Sequence, residues 1–501
     1  MTLRELLAGA GIEPPPAPAD EVKIGALAYR SESVTEGALF FCVPGFTADG
    51  HDFAPDAVRR GAAALVCERP LGLGVPEVVV ESVRGSMAPI AAAFYGHPTR
   101  ALQVVGVTGT NGKTTTAFLV RHLLEQAGIR TGLLGTIWSV IGGRRDEVVR
   151  TTPEAIELQR TFREMLDAGD AACAMEVSSH ALELNRADAI DVDCAIFTNL
   201  TQDHLDFHGT LESYFGAKRQ LFVPSRSGPP RVAVINVDDE WGARLAQELD
   251  ESGHGPPITF AIGRDADLRA RNVRSSAGGA SFMCVVDGED VPVELPLPGL
   301  FNVSNALGAL GAARALGVPL AEGAASLASA PSVPGRFEPV DEGQPFTVLV
   351  DYAHTPDSLE NALTAARELV ARNGAGRLVC VFGAGGDRDR EKRPQMGAAA
   401  RRLADHVVVT SDNPRSEDPQ AIIAAIVQGA QAAGGQSELE VEPDRRRAIE
   451  RAVALAADGD VVVIAGKGHE QGQELAGGRK VQFDDREVAR EALRALARRA
   501  A

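Results

Sequence analysis

A lysine between glycine and threonine, where an apolar run gives way to an amphipathic one, is suited to gripping a nucleoside triphosphate. This chain has that arrangement at Gly106 to Thr116, GVTGTNGKTTT, set between LQVVGV and TTAFLVRHLLEQAG. The segment reads as strand, phosphate loop and helix. Glycines at 106, 109 and 112 let backbone N–H groups turn toward an anion, Lys113 supplies a point charge, and Thr114 offers a hydroxyl to Mg²⁺ at the positive end of a helix. The expected ATP-binding stretch is Gly109, Thr110, Asn111, Gly112, Lys113, Thr114 and Thr115. The strict spacing of the common phosphate loop places a glycine where Val107 stands. The anion-binding chemistry survives that difference, because the backbone donors and the lysine remain.

Further chemistry-bearing residues follow apolar runs. Glu176 ends AACAMEV and precedes SSHAL, a place for a metal-binding carboxylate or for a helix cap at a solvated strand end. In TNLTQDHLDFHG, Asp203, His204, Asp206 and His208 crowd one short loop, a mixture of imidazole and carboxylate that suits Mg²⁺ or Mn²⁺. Lys218 lies in LESYFGAKRQLFV on the same helical stripe as Leu211, Tyr214, Phe215, Leu221 and Phe222, so it is aimed inward. Burial disfavours an ammonium, and a neutral amine can pair with a carboxylate or take up CO₂ as a carbamate whose oxygens ligate a metal. The alternative is a lysine snorkelling out from a boundary position.

The elements that must position these groups alternate between strand and helix throughout, the rhythm of an α/β chain with parallel sheets. Residues 1–98 read as a small α/β domain with strands ALFFCV, AALVCE and PEVVVE. Its loop VPGFTADGHD is either a plain turn or a ligand-facing one. Residues 99–335 read as the phosphate-loop domain, whose strands LQVVGV, AACAMEV, DCAIFTNL and RVAVINV end in polar clusters: Glu176 with Ser178, Ser179 and His180, then Thr198 and Asn199, then Asn236, Asp238 and Asp239. In open α/β sheets ligands bind outside the carboxyl ends of strands, so these clusters are expected beside the phosphate loop. Residues 336–501 repeat the pattern with FTVLVDYAHTP, RLVCVFGAGGDRD, DHVVVTSDNPR and DVVVIAGKGHE, a second nucleotide-type sheet. The closing DREVAREALRALARRA is expected only to pack on this domain.

At 501 residues the chain exceeds a single core and fits about three domains. Its formal net charge of −18 argues against a nucleic-acid partner. The six cysteines show no CxxC spacing and sit mostly in apolar runs, as in a reducing compartment. No signal peptide and no stretch of about 18 apolar residues is present, so a cytoplasmic protein without membrane insertion is expected. Nothing in the sequence reports an oligomeric state.

GTNGKTTT, TTPE, MEVSSHAL, TNLTQDHLDFHG, AKRQLF, FNVSNALGAL, GRFE, DYAHTPDSLENAL, GAGGDRDREKRPQM, SDNPR and GKGHE occur in this order, and with them the chain resembles the Mur ligases, ATP-dependent amino-acid ligases of peptidoglycan synthesis. The resemblance covers essentially the whole chain. It implies an N-terminal UDP-binding domain, a central ATPase domain and a C-terminal Rossmann-like domain that receives the amino acid. Thr151, Thr152, Ser178 and Arg186, with Ser31, would hold the UDP-muramoyl dipeptide. Glu176 and His204 would bind Mg²⁺ alongside Thr114, and Lys218 would be the carbamylated lysine. Asn302, Asn305, Arg336, Asp351 and His354 would face the nucleotide, and Arg388, Asp412, Asn413, Arg415, Gly466 and Glu470 would form the amino-acid pocket. Two departures stand out: Arg30-Ser31-Glu32 replaces a common Asp-Ser-Arg, and Gly472 follows Gln471 where relatives often carry an aromatic residue.

The reaction expected from this resemblance phosphorylates a carboxylate with ATP, and an amine then displaces phosphate through a tetrahedral intermediate. Lys113, Mg²⁺ and arginine would stabilise the developing charge. His354 would either help deprotonate the incoming ammonium or play a structural part beside Asp351. A guanidinium at Arg415 can grip a second carboxylate, which meso-diaminopimelate has and lysine lacks. The expected function is therefore addition of meso-2,6-diaminopimelate to UDP-N-acetylmuramoyl-L-alanyl-D-glutamate. The competing account of Arg415 is a pair with Glu417 or Asp418 at a helix start. Lysine addition, folylpolyglutamate synthesis and a non-catalytic nucleotide-binding scaffold are the rival functions.

Overall fold

The computed structural model describes residues 1–500 apart from 46, 47, 149, 224–227, 254, 374 and 375. Two residues of the loop 43–52 therefore lie outside the described residues. Nearby, His51 is pinned between the Asp49 carboxylate (Nδ1–O 2.6 Å) and the Glu68 backbone N–H, which donates to Nε2 at 2.9 Å.

The chain divides into two compact units. One contains residues 1–108, 128–196 and 216–233, and the other 109–127, 197–215 and 234–501. In the first unit, Ala26–Ala28, Ala38–Phe41, Ala62–Cys67 and Glu77–Val79 form a four-stranded parallel sheet in sequence order. Successive side chains of a strand point to opposite faces, and the core divides accordingly. Leu39, Phe41, Ala64 and Val66 pack with residues of the helices Leu3–Gly9 and Val83–Phe94, while Ala38, Phe40, Leu65 and Cys67 pack with Ala54 and Ala57. This unit also carries Gln103–Thr108 paired in parallel with Ala172–Glu176, which pairs in turn with Thr131–Leu134.

In the second unit, residues 234–236 of the strand Val232–Asn236 run parallel to Ile258–Ala261, which runs parallel to Leu268–Ser276, and the antiparallel strands Gly279–Val286 and Glu289–Leu295 follow. A six-stranded sheet places Glu338–Pro339, Thr347–Asp351, Val461–Ala465, Leu378–Phe382, His406–Val409 and Glu438–Val441 side by side, parallel except at the first strand. Such doubly covered strands read as continuous apolar runs. VVVIA shows why: Val461, Val463 and Ala465 face the core shared with the helices Pro356–Asn373, Lys392–Leu403 and Pro419–Ala432, and Val462 and Ile464 face Arg445–Leu455 and Asp485–Ala500.

All six cysteines are free and buried, and burial pushes thiols such as Cys67 up to about 11. No helix among the described residues is long and apolar enough to cross a membrane.

Candidate functional site

The anion loop opens on Gly109 at φ 150° and closes on Gly112 at φ 85°, which precedes the helix Lys113–Gln126. Thr198 Oγ1 donates to the Asn111 carbonyl at 2.6 Å, Asn199 Oδ1 accepts from the Asn111 N–H at 2.9 Å, and Thr110 N–H donates to the Asn199 carbonyl at 2.9 Å. The polar ends of neighbouring strands thus hold the loop's shape. Asn236 in turn donates to the Thr198 carbonyl at 2.7 Å, and Asp239 accepts from Leu200 N–H at 3.1 Å. Asp238 turns elsewhere, accepting the N–H groups of Ile262 and Arg264. The Lys113 ammonium donates to the carbonyls of Gly109 (2.9 Å) and Thr110 (2.8 Å), curled over the loop it would share with phosphate oxygens.

A Cβ on Gly109 would lie 1.9 Å from Thr198 Oγ1 and 3.1 Å from the Asn199 backbone. Gly109→Ala is therefore expected to spread the loop and to weaken nucleotide binding by roughly 1–3 kcal/mol, the usual cost of a strained backbone position. Calorimetric titration with ATP checks this, and unchanged affinity would refute it.

Residues distant in sequence close on this loop within the same unit. Arg336 Nη2 donates to Thr114 Oγ1 at 3.1 Å, and its guanidinium lies 4.3 Å from the centre of the Tyr352 ring. Asp351 accepts from the N–H groups of Phe337 (2.7 Å) and Ala353 (2.8 Å), which fixes the backbone on either side of this contact. Burial raises its carboxyl above the ordinary value. His354 is not its partner. The His354 Nδ1 lies 2.8 Å from the Tyr352 carbonyl, and burial lowers the imidazole's affinity for a second proton. Asn302 donates to the Pro298 carbonyl and accepts from Asn305, whose Oδ1 accepts from Thr116 at 3.3 Å. Thr115 is buried in the first turn of the loop's helix. Asp357, not singled out from sequence, accepts from Asn111 Nδ2 at 2.7 Å and Thr201 Oγ1 at 3.0 Å. Its placement in DYAHTPDSLENAL was the available signal.

A second cluster in this unit stands at the carboxyl ends of the six-stranded sheet. Asn413 Nδ2 donates to Glu470 at 2.8 Å, and Lys467, fully buried, donates to Asn413 Oδ1 (2.8 Å), Glu470 (2.8 Å) and Asp412 (3.5 Å). Gly466, at φ 120°, leaves room beside Asp412, whose Oδ2 would be 3.1 Å from a Cβ there. Lys467 belongs to GKGHE, yet the sequence reading passed over it. Arg415 takes neither partner considered for it. Its Nε donates to Glu474 Oε2 at 2.8 Å and its Nη1 to the Gly386 carbonyl at 2.7 Å. Glu417 is held by Arg393 (2.8 and 3.1 Å), which keeps its carboxyl down at about 2, and Asp418 caps the helix Pro419–Ala432. Arg388 flanks the cluster, with Cγ 3.9 Å from the Cβ position of Gly385.

In the first unit, Glu176 is neither a cap nor solvated: it is 1% exposed, and its carboxylate accepts the N–H (2.7 Å) and hydroxyl (3.0 Å) of Thr136. Thr136 Oγ1 lies 3.1 Å from Thr151 Oγ1, Thr152 donates to the Glu176 carbonyl at 2.9 Å, and Ser178 N–H donates to Thr152 at 3.1 Å. Arg186 pairs with Glu154 at 3.0 Å, as does Arg150 at 2.7 Å. Thr151, Thr152 and Ser178 are thus linked through Thr136 and Glu176, while Arg186 is held separately by Glu154. Ser31 stands apart from that network, buried at the turn Ser31–Ser33. Lys218 is 1% exposed, so it does not snorkel.

His204, at φ 53°, lies 3.3 Å from Asp203 and its side chain is 42% exposed, and no cluster of three or more His, Cys, Asp or Glu able to hold a metal occurs among the described residues. Within the second unit, the Thr114 hydroxyl in the first turn of the loop's helix is a hard oxygen donor of the kind Mg²⁺ takes.

A lysine-bearing anion loop, an arginine brought onto its threonine, and an acid–base cluster at a second sheet define a nucleotide-dependent enzyme of the α/β class. The chain belongs to the Mur ligase family. Family models match in three successive stretches: the Mur ligase family, catalytic domain at residues 23–95, the Mur ligase middle domain at 107–313, and the Mur ligase, glutamate ligase domain at 335–468. The UDP-N-acetylmuramoyl-L-alanyl-D-glutamate--2,6-diaminopimelate ligase of Geobacillus thermodenitrificans is 50% identical over 475 residues, 94% of this chain and 95% of that protein. The enzyme of the same name from Geobacillus kaustophilus is 49% identical over equal shares. A solved structure of a ligase with that name superposes with a TM-score of 0.70 at 34% identity, covering 99% of this chain and all of the other.

Proposed function

We propose that this protein is an ATP-dependent ligase that joins meso-2,6-diaminopimelate to the D-glutamate carboxylate of UDP-N-acetylmuramoyl-L-alanyl-D-glutamate, in the cytoplasm. The observation that carries this reading is the 50% identity, over 94% of the chain, to a ligase named for that reaction.

On this reading the second unit does two jobs. The loop Gly109–Thr115 and Arg336 receive the triphosphate, and the γ-phosphoryl passes to the glutamate carboxylate to give an acyl phosphate. The amine of the incoming amino acid then attacks that carbonyl, and phosphate leaves. Backbone N–H groups and fixed cations meet the charge that develops, so positioning and electrostatics supply the rate without a nucleophilic side chain. Mg²⁺ would be held by Thr114, Glu176, His204 and a carbamate on Lys218, and would neutralise phosphate charge. Thr151, Thr152, Ser178, Arg186 and Ser31 would bind the UDP-muramoyl dipeptide. Arg388, Asp412, Asn413, Arg415, Gly466 and Glu470 would receive diaminopimelate. His354, held through Tyr352, suits orientation near the nucleotide as well as proton acceptance.

Phosphate release from ATP with the UDP-muramoyl dipeptide, with and without diaminopimelate, tests the whole reading. Release that depends on both substrates, with amide product, is expected. Release with a folate substrate, or none at all, would overturn it.

Specificity rests on Arg415. A hydrogen bond to a charged group contributes roughly 1.5–3 kcal/mol, about ten- to over a hundredfold in affinity. Arg415→Ala is expected to raise the KM for diaminopimelate by that factor and to narrow its advantage over L-lysine. The Glu474 carboxylate, which Arg415 balances at 2.8 Å, would then oppose a second carboxylate and add to the loss. Competition assays with the two amino acids check this, and an unchanged preference would remove Arg415 from the pocket.

A further inference from the structure

Arg445 lies outside every residue discussed as touching a substrate, yet it is among the largest fully buried side chains of the protein. It opens the helix Arg445–Leu455, and its partner Asp485 opens the helix Asp485–Ala500. Nε and Nη2 donate to the two oxygens of Asp485, each at 2.7 Å, and both side chains are 0% exposed. The guanidinium has donors left over. Nη2 also reaches the Ala465 carbonyl at 2.9 Å, and Nη1 approaches the Ser411 carbonyl at 3.5 Å.

Those two carbonyls immediately precede Gly466 and Asp412, two residues of the proposed amino-acid pocket. They belong to the ends of strands that are not neighbours, because Leu378–Phe382 runs between Val461–Ala465 and His406–Val409. No ladder hydrogen bond sets the separation of these two ends. A buried ion pair contributes little net stability against well-packed apolar residues of the same volume, so stability alone gives no reason for its presence. A planar fork with five fixed donors, anchored on one edge by a bidentate carboxylate, can tie two strand ends together in a way an ammonium cannot.

We propose that Arg445, clamped by Asp485, is a positioning residue for the amino-acid pocket: it fixes the spacing between Asp412 and Gly466 and so tunes recognition of the incoming amino acid, without touching it. The proposal rests on the reading of that pocket given above. It also gives the terminal helix a task beyond packing, since its first residue supplies the clamp.

The test is steady-state kinetics on the full chain, with diaminopimelate and ATP varied in turn. The double variant Arg445→Met/Asp485→Leu removes the pair without stranding a buried charge. Its KM for diaminopimelate is expected to rise roughly ten- to a hundredfold, the scale of small misplacements at a reacting centre, with the KM for ATP unchanged and the thermal unfolding midpoint maintained. Arg445→Lys, which keeps the charge opposite Asp485 but cannot span both carbonyls, should show the same selective rise to a smaller extent. It serves as the readout if the double variant does not fold. Unchanged KM for diaminopimelate in a folded variant, or equal rises for both substrates, overturns the proposal. Absence of ligation by the wild-type protein would instead overturn the functional reading.

Discussion

Replacing Lys218 by alanine is expected to abolish ligation while ATP continues to bind. Lys218 sits on the helix Leu211–Arg219 with 1% of its surface exposed, in company with the buried Tyr214, Phe215, Ala217, Leu221 and Phe222 of the same stretch. A lysine this deeply buried is a candidate for carbamate formation. The ammonium first loses a proton, the neutral amine nitrogen bonds to the carbon of CO₂ with release of a second proton, and a cation thereby becomes an anion with two oxygen donors. Loss of such a group removes charge stabilisation worth roughly 10²–10³ in rate, by comparison with single donors at other reacting centres. The backbone of residues 109–115 is untouched, so nucleotide affinity should persist. Deleting a buried side chain also opens a cavity, with a typical cost of about 2–5 kcal/mol, so Lys218→Met, which retains the volume, is the necessary companion. Both variants should bind ATP in calorimetry and fail in ligation, and wild-type turnover should rise with added bicarbonate. Wild-type turnover in Lys218→Met would eliminate the carbamate account.

Lys113→Ala should behave differently, losing nucleotide affinity and turnover together. Its ammonium already lies over the loop, bonded to the Gly109 and Thr110 carbonyls, so it is stationed where phosphate oxygens would come. A group that contacts ground state and transition state alike weakens binding, and one that also meets charge developing during phosphoryl transfer lowers the rate. We expect kcat/KM for ATP to fall by about 10²–10³. The fold should survive, because the loop retains its bonds to Thr198, Asn199 and Thr201. Separate measurement of nucleotide Kd and single-turnover rate distinguishes the two contributions. If neither changed, the loop would not be the nucleotide site.

These two lysines show how differently function was legible in the chain. Lys113 stands in a contiguous run, where strand, turn and helix are local features and Gly-Lys-Thr carries its chemistry within a few residues. Lys218 was legible through helical periodicity, which reports the buried face, and the structure bears out its burial. Glu176 was only half legible: the strand end was evident, but its burial under Thr136, 40 positions away, was not.

What the sequence by itself determined was the class of the segments it singled out, the broad alternation of strand and helix, the anion loop and the family, because each depends on local spacing or on an ordered series of short motifs; the antiparallel strands Gly279–Val286 and Glu289–Leu295 were not among them. Tertiary structure alone decided the partners. Arg336 meets Thr114 across 222 positions, Asn111 meets Asp357 across 246, and Arg415 pairs with Glu474, 59 residues on, in place of Glu417 beside it. Arg445 and Asp485, 40 residues apart, meet because their helices pack on the same face of a sheet whose strands are not in sequence order. Periodicity states which face of an element is buried. Which distant side chain waits there is set by strand order and helix packing, and these emerge only when the whole sheet is assembled.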